Sequence, residues 1–153
     1  MNYRGAVIVG STALNYFIMS YKIDEIEGIG PAYAEKLKAA GISTTEELLE
    51  KGATKKGRQE IAEATDITEK LILKWVNHAD LFRIKGVAGQ FAELLEASGV
   101  DTVKELRHRV ALNLLQRLNE VNTQKNLCNR VPSLKEIEHM IEQAKELPPV
   151  VTY

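Results

Sequence analysis

Shifted by 58 residues, the sequence falls on itself. IEGIGPAYAEKLKAAGISTTEEL (26–48) lies over IKGVAGQFAELLEASGVDTVKEL (84–106) without a gap. Ile26 meets Ile84, Gly28 meets Gly86, Ile29 meets Val87, Tyr33 meets Phe91, Leu37 meets Leu95 and Gly41 meets Gly99. An internal repeat constrains a chain more than composition does, because each copy forms one supersecondary unit that buries its apolar face against its neighbour. A second match, TEKLILKWVNHADL (68–81) over SLKEIEHMIEQAKEL (133–147), requires a shift of 65. The second copy is thus longer by about seven residues, and QKNLCNRVP (124–132), with Asn and Pro, is the natural loop to hold them.

Both copies read as helical. Ser43–Glu46, Asp66–Glu69, Thr102–Glu105 and Ser133–Glu136 have the spacing of a capping box ahead of an apolar run. Leu71, Ile72, Trp75, Val76, Ala79 and Phe82 recur on one helical face, as do Val110, Leu114, Leu115, Leu118 and Val121. No alternating strand pattern follows residue 20. The expected architecture is all-α: two related units, 19–82 and 83–147, each of four or five short helices. No Gly/Ser/Pro linker separates them, so they are expected to pack as one body. Residues 148–153 (PPVVTY) are expected to form a loose tail that could also dock on a partner.

The chain has 153 residues and a net charge of −1. That is length enough for a real core, but it supplies no global basic field, so any nucleic-acid contact must come from a local patch. One cysteine, Cys128, excludes a disulfide framework and cannot alone build a zinc or iron–sulfur site. It suits a reducing cytoplasm. Residues 1–18 are mostly apolar, with Arg4 as their one charge. They are shorter than the roughly 20 apolar residues of a spanning helix and are broken by Ser11, Thr12 and Asn15. They are expected to be an N-terminal extension or a β-like arm with no chemistry, and no membrane partner is expected.

The densest signal is IEGIGPAYAEKL. Two helices joined by a tight turn need positive φ where the first stops, which glycine tolerates. They also need a small residue where the backbone doubles back, with an apolar residue between to plug the groove. Pro31 suits the first position of the next helix, where its missing N–H costs nothing. The N–H groups at that helix start are left without intrahelical partners and form a ready anion site.

This stretch resembles the helix-hairpin-helix family pattern: apolar, x, Gly, apolar, Gly, three residues, Ala, two residues, apolar. That resemblance implies sequence-independent DNA binding, through Gly28, Ile29 and Gly30 in the first hairpin. More narrowly, residues 19–147 resemble an uncharacterised bacterial family, known only as a domain of unknown function, with two such units. The second hairpin, IKGVAGQFAELL, departs from the pattern. Ala88 stands where Gly30 stands and Gly89 where Pro31 stands, so the turn can shift by one residue and lose its phosphate site. The expected contacts there are Gly86, Val87 and Gly89.

Lys36 and Lys38 follow the first hairpin, and Lys55, Lys56 and Arg58 form a basic loop around Gly57. All five are candidates to follow a phosphate backbone, although such runs are more often solvated faces. Glu27 and Glu35 flank the first hairpin and would repel phosphate. Tyr33 and Phe91 could stack on bases, but their helical spacing from Leu37 and Leu95 favours packing, and Trp75 reads as core. His78, His108 and His139 show no ligand spacing. No nucleophile motif is present, and Asp101, superficially placed like a glycosylase aspartate, reads as a helix cap. The expected protein is therefore non-catalytic, holds no cofactor, and binds nucleic acid, DNA ahead of RNA. The competing expectation is a protein-interaction module whose hairpins are internal braces, with self-association left open. Salt separates the two, because only phosphate binding weakens steeply as salt rises.

Overall fold

A computed structural model of the chain describes residues 6–9, 16–87 and 89–153, with the side chains of residues 20–87 and 89–153. The rest of the expected 1–18 extension, and Ala88, lie outside the described residues. Strand β1 (Ala6–Val9) pairs antiparallel with β2 (Tyr16–Met19), Ala6 opposite Met19. A 3-10 turn, Ile23–Glu25, follows. The body is then helical: α1 (Pro31–Ala39), α2 (Thr45–Gly52), α3 (Lys55–Thr65), α4 (Glu69–Leu81), α5 (Gln90–Ala97), α6 (Val103–Leu106), α7 (Ala111–Lys125) and α8 (Leu134–Glu146). None of the described helices is long and apolar enough to cross a membrane.

Matching hydrogen bonds recur at matching places. Where α1 ends, Ile42 N–H donates to the Leu37 carbonyl at 2.8 Å and Gly41 N–H to Lys38 at 2.9 Å. Where α5 ends, Val100 N–H donates to Leu95 at 2.8 Å and Gly99 N–H to Glu96 at 3.0 Å. Both are the paired bonds that satisfy the last carbonyls of a helix closed by a left-handed glycine. Caps set the starts. Thr102 and Ser133 accept from the backbone N–H three residues on, as their spacing predicts. The other two capping boxes are displaced. Thr44, not Ser43, caps α2, and Thr68, not Asp66, caps α4. Asp66 instead closes α3 in the left-handed conformation, which a short polar side chain tolerates. Asp101 is exposed, and the cap beside it is Thr102.

One apolar cluster runs through the body. It joins Ile29, Leu37, Leu48, Trp75 and Val76 to Val87, Leu95, Leu106, Leu118, Ile137 and Met140. Helix α4 packs on α2 and α3 on one side and on α5 on the other. Between α4 and α5, the buried imidazole of His78 bonds through Nε2 to the Glu96 carboxylate. Asp80 is a second link. One of its oxygens accepts from Arg83 Nη1 at 2.8 Å, and the other accepts from Val103 N–H at 2.8 Å at the start of α6.

The expected basic loop at 54–58 is the first turn of α3. Thr54 caps it, and Gly57 is there for space. A Cβ on Gly57 would lie 2.1 Å from the Lys51 carbonyl oxygen. The expected loose tail is docked. Thr152 N–H donates to the Ala53 carbonyl at 2.8 Å, and Arg58 Nη2 donates to the Thr152 carbonyl at 2.7 Å.

Candidate nucleic-acid interface

The first glycine turn begins where the 3-10 turn stops. Ile29 N–H donates to the Ile26 carbonyl at 3.1 Å, which closes the turn. Gly28, at φ 92°, makes that closure possible. Ile29 points inward and is only 4% exposed. The chain then passes through Gly30, which is extended (φ −85°, ψ −176°), and Pro31 opens α1. Gly30 therefore does not need positive φ, and a Cβ there would meet nothing within 4 Å. No side chain caps this helix start. The N–H groups of Ala32 and Tyr33 fall in the first turn of α1, where a helix offers no acceptor of its own. Gly28, Gly30, Pro31 and Ala32 are all exposed. An anion could approach this end from solvent.

The second turn repeats the closure but not the opening. Val87 N–H donates to the Ile84 carbonyl at 3.1 Å, with Gly86 at φ 94°. Helix α5, however, begins at Gln90, one residue later than α1 does in its copy. Its cap is Gly89 at φ 44° and ψ −108°. A Cβ on Gly89 would stand 3.9 Å from the Glu25 carbonyl oxygen and 4.0 Å from Glu27 Oε1. This turn faces the acidic flank of the first one. A groove of ≈ 600 Å³ between them is bordered by Asp24, Glu25, Glu27, Gly89, Gln90, Phe91, Asn129 and Arg130. Carboxylates beside Gly89 disfavour a phosphate there.

Each turn rests on one side chain from the other end of its copy. Trp75 Nε1 lies 3.6 Å from where a Cβ on Gly28 would be, and Met140 Cε lies 4.0 Å from the same point on Gly86. Tyr33 meets Trp75 edge-on, with ring centroids 5.0 Å apart. Phe91 lies under the Arg130 guanidinium at 5.3 Å. Both aromatics are half-buried packing groups.

The basic candidates divide. Lys36 and Lys38 are exposed in the last turn of α1. At 1.5 Å per residue they stand roughly 9 and 12 Å along the axis from Gly30, where they complement the negative end of the helix dipole. Lys55 and Lys56 are exposed in the first turn of α3. Arg58 does not fit its expected role. It is 5% exposed and donates to the carbonyls of Gly52, Ala53 and Thr152. Burial holds its pKa below the ordinary value, with Tyr153 and Glu69 pulling it back up. Ile29 and Val87 are likewise plugs whose side chains face the core, Val87 with no exposure at all.

Lys74 was invisible to sequence reasoning. It borders a cavity of ≈ 250 Å³ with Glu27, Gly28, Gln90, Glu93 and Leu127. Its ammonium lies 3.8 Å from both Glu93 and Glu96. The residue sits one position before Trp75 on α4, and only the packing of α4 under the first turn brings it to Gly28. Burial would raise the Glu96 pKa, but the hydrogen bond and charge of His78, joined by Lys74, outweigh it and hold the carboxyl below 4.5. Among the described residues, no three His, Cys, Asp or Glu side chains gather as a metal site.

These features define a protein with a helical body and two glycine turns, one exposed and one half-buried. Residues 27–147 match the family model described as Domain of unknown function (DUF4332), and the chain belongs to that family. No curated protein and no solved structure matches the chain.

Proposed function

We propose that the chain is a non-catalytic, sequence-independent nucleic-acid-binding protein built from two tandem helix-hairpin-helix units, of which the first makes the contact. The observation that carries this reading is the open start of α1: an exposed, uncapped first turn that follows a left-handed glycine. Backbone N–H groups there grip a phosphate without reading bases. Lys55 and Lys56 add charge from the start of α3 on the same half of the chain, and Lys36 and Lys38 add it from the far end of α1. The second unit braces the first. Double-stranded DNA is the expected ligand.

A protein-contact role is the second reading, and Glu27 and Glu35 favour it, because exposed carboxylates flank the open turn. Fluorescence anisotropy with labelled duplex DNA, at low and near-physiological salt, separates the two. The parent is expected to bind, and salt to weaken binding steeply. Gly30→Glu is expected to fold, because Gly30 is extended and its Cβ direction is open. It places a carboxylate among the N–H groups and is expected to abolish binding. No binding by the parent at low salt would remove the nucleic-acid reading.

A further inference from the structure

Residues 148–153 run through a seam built by both halves of the chain. Arg83 Nη2 donates to the Pro148 carbonyl at 2.7 Å. Arg107 Nη2 donates to the carbonyls of Ala144 and Leu147, and Arg58 Nη2 to that of Thr152. Further along, Thr152 N–H and hydroxyl both donate to the Ala53 carbonyl, and the Tyr153 hydroxyl donates to Asn77 Oδ1 at 3.3 Å. The Arg58 guanidinium lies 5.8 Å from the centre of the Tyr153 ring.

The chemistry of the two sides is complementary. Guanidinium groups only donate hydrogen bonds. The segment that Arg83 and Arg58 hold begins Pro148-Pro149, which has carbonyls to offer and no N–H of its own to satisfy. Consecutive prolines also hold the chain extended before it docks. The seam therefore reads backbone rather than side chains along most of its length. The fit is incomplete: a cavity of ≈ 250 Å³ remains between residues 149–153 and Asp80, Thr102 and Lys104. Val150 and Val151 are only half-buried. An occupant held by backbone hydrogen bonds over unfilled space is one that can leave.

We infer that this seam is a binding groove for an extended, proline-led peptide, and that residues 148–153 are its intramolecular occupant. Arg58 and Arg83 are the groove's carbonyl ligands, and Ala53 and Asn77 fix the far end. Release of the segment exposes a site that takes a peptide of the same kind from elsewhere.

The test uses the full chain and a labelled peptide of residues 147–153. In the parent, the Thr152 amide is expected to exchange with deuterium roughly tenfold or more slowly than in the free peptide. The full-length variant Thr152→Pro removes the N–H that meets Ala53 and leaves every groove residue in place. By fluorescence anisotropy it is expected to bind the peptide about tenfold or more tightly than the parent, whose groove is occupied. A peptide carrying proline at the Thr152 position is expected to bind neither protein, a control that depends on no folding. Equal exchange of the Thr152 amide in chain and free peptide would overturn the inference, as would a folded Thr152→Pro variant with no gain in binding. A concentration-dependent dimer with the segments exchanged between copies would overturn the intramolecular assignment.

Discussion

The two glycine turns close with the same hydrogen bond and the same left-handed glycine, yet the first leads into an exposed helix start and the second into one half-buried beside carboxylates. The difference lies in where the next helix starts. Gly30 lets α1 start at once, in extended backbone, with solvent around it. In the second copy the helix starts one residue later, from Gly89 at φ 44°, against Glu25 and Glu27. A shift of one residue turns an exposed helix start into one half-buried beside carboxylates. Shared sequence therefore fixes the closure of a turn, while its exposure depends on what the rest of the chain lays beside it.

The largest expected effect lies beneath the turns. Trp75→Ala and Met140→Ala each remove the side chain on which a turn rests, at a cost of about 3–5 and 2–5 kcal/mol. Urea unfolding should rank the tryptophan variant as the less stable, and the reverse order would mean that the second turn carries more of the core. Gly89→Ala comes next. Its backbone conformation is one that L side chains rarely adopt, so about 1–3 kcal/mol should be lost. Gly30→Ala, by contrast, should move stability by no more than roughly 0.5 kcal/mol. Equal losses at these two positions would erase the distinction drawn between the helix starts. Gly28→Ala and Gly86→Ala should each cost about 1–2 kcal/mol, matched to one another, because both glycines are left-handed in the same bond.

The smallest effect is electrostatic. Glu96 is held below its ordinary value of 4.5, so its contribution to stability is present above that pH and is lost as pH falls through the lowered value. The urea midpoints of the parent and Glu96→Gln should differ at neutral pH and converge in acid. Parallel curves would show that the His78–Glu96 contact carries no net stability between α4 and α5.

The helices, the plugs and the core were legible in the sequence because periodicity and the glycine spacing are local signals. Trp75, Leu37 and Val87 are buried as their spacing predicts. Capping was legible to within one or two residues. Runs such as Ser43-Thr44 and Asp66-Ile67-Thr68 offer more than one oxygen, and only the helix register decides which is used. Arg58 could not be read, because its partners lie at Gly52, Ala53 and Thr152, and the last is far along the chain. The same holds for Lys74. Charge shows in a sequence, but the carbonyl or carboxylate that claims it belongs to the tertiary fold.

The contact between Trp75 and the first turn also makes the protein its own optical sensor. Trp75 is the chain's single tryptophan, buried at 1% exposure with its indole nitrogen turned toward Gly28. Its emission comes from one place, directly under the open helix start, and no label is needed to watch that place. A ligand that settles on Gly28 and shifts the backbone would change the colour or intensity of that emission, whereas one that binds the seam at residues 148–153 should leave it close to constant.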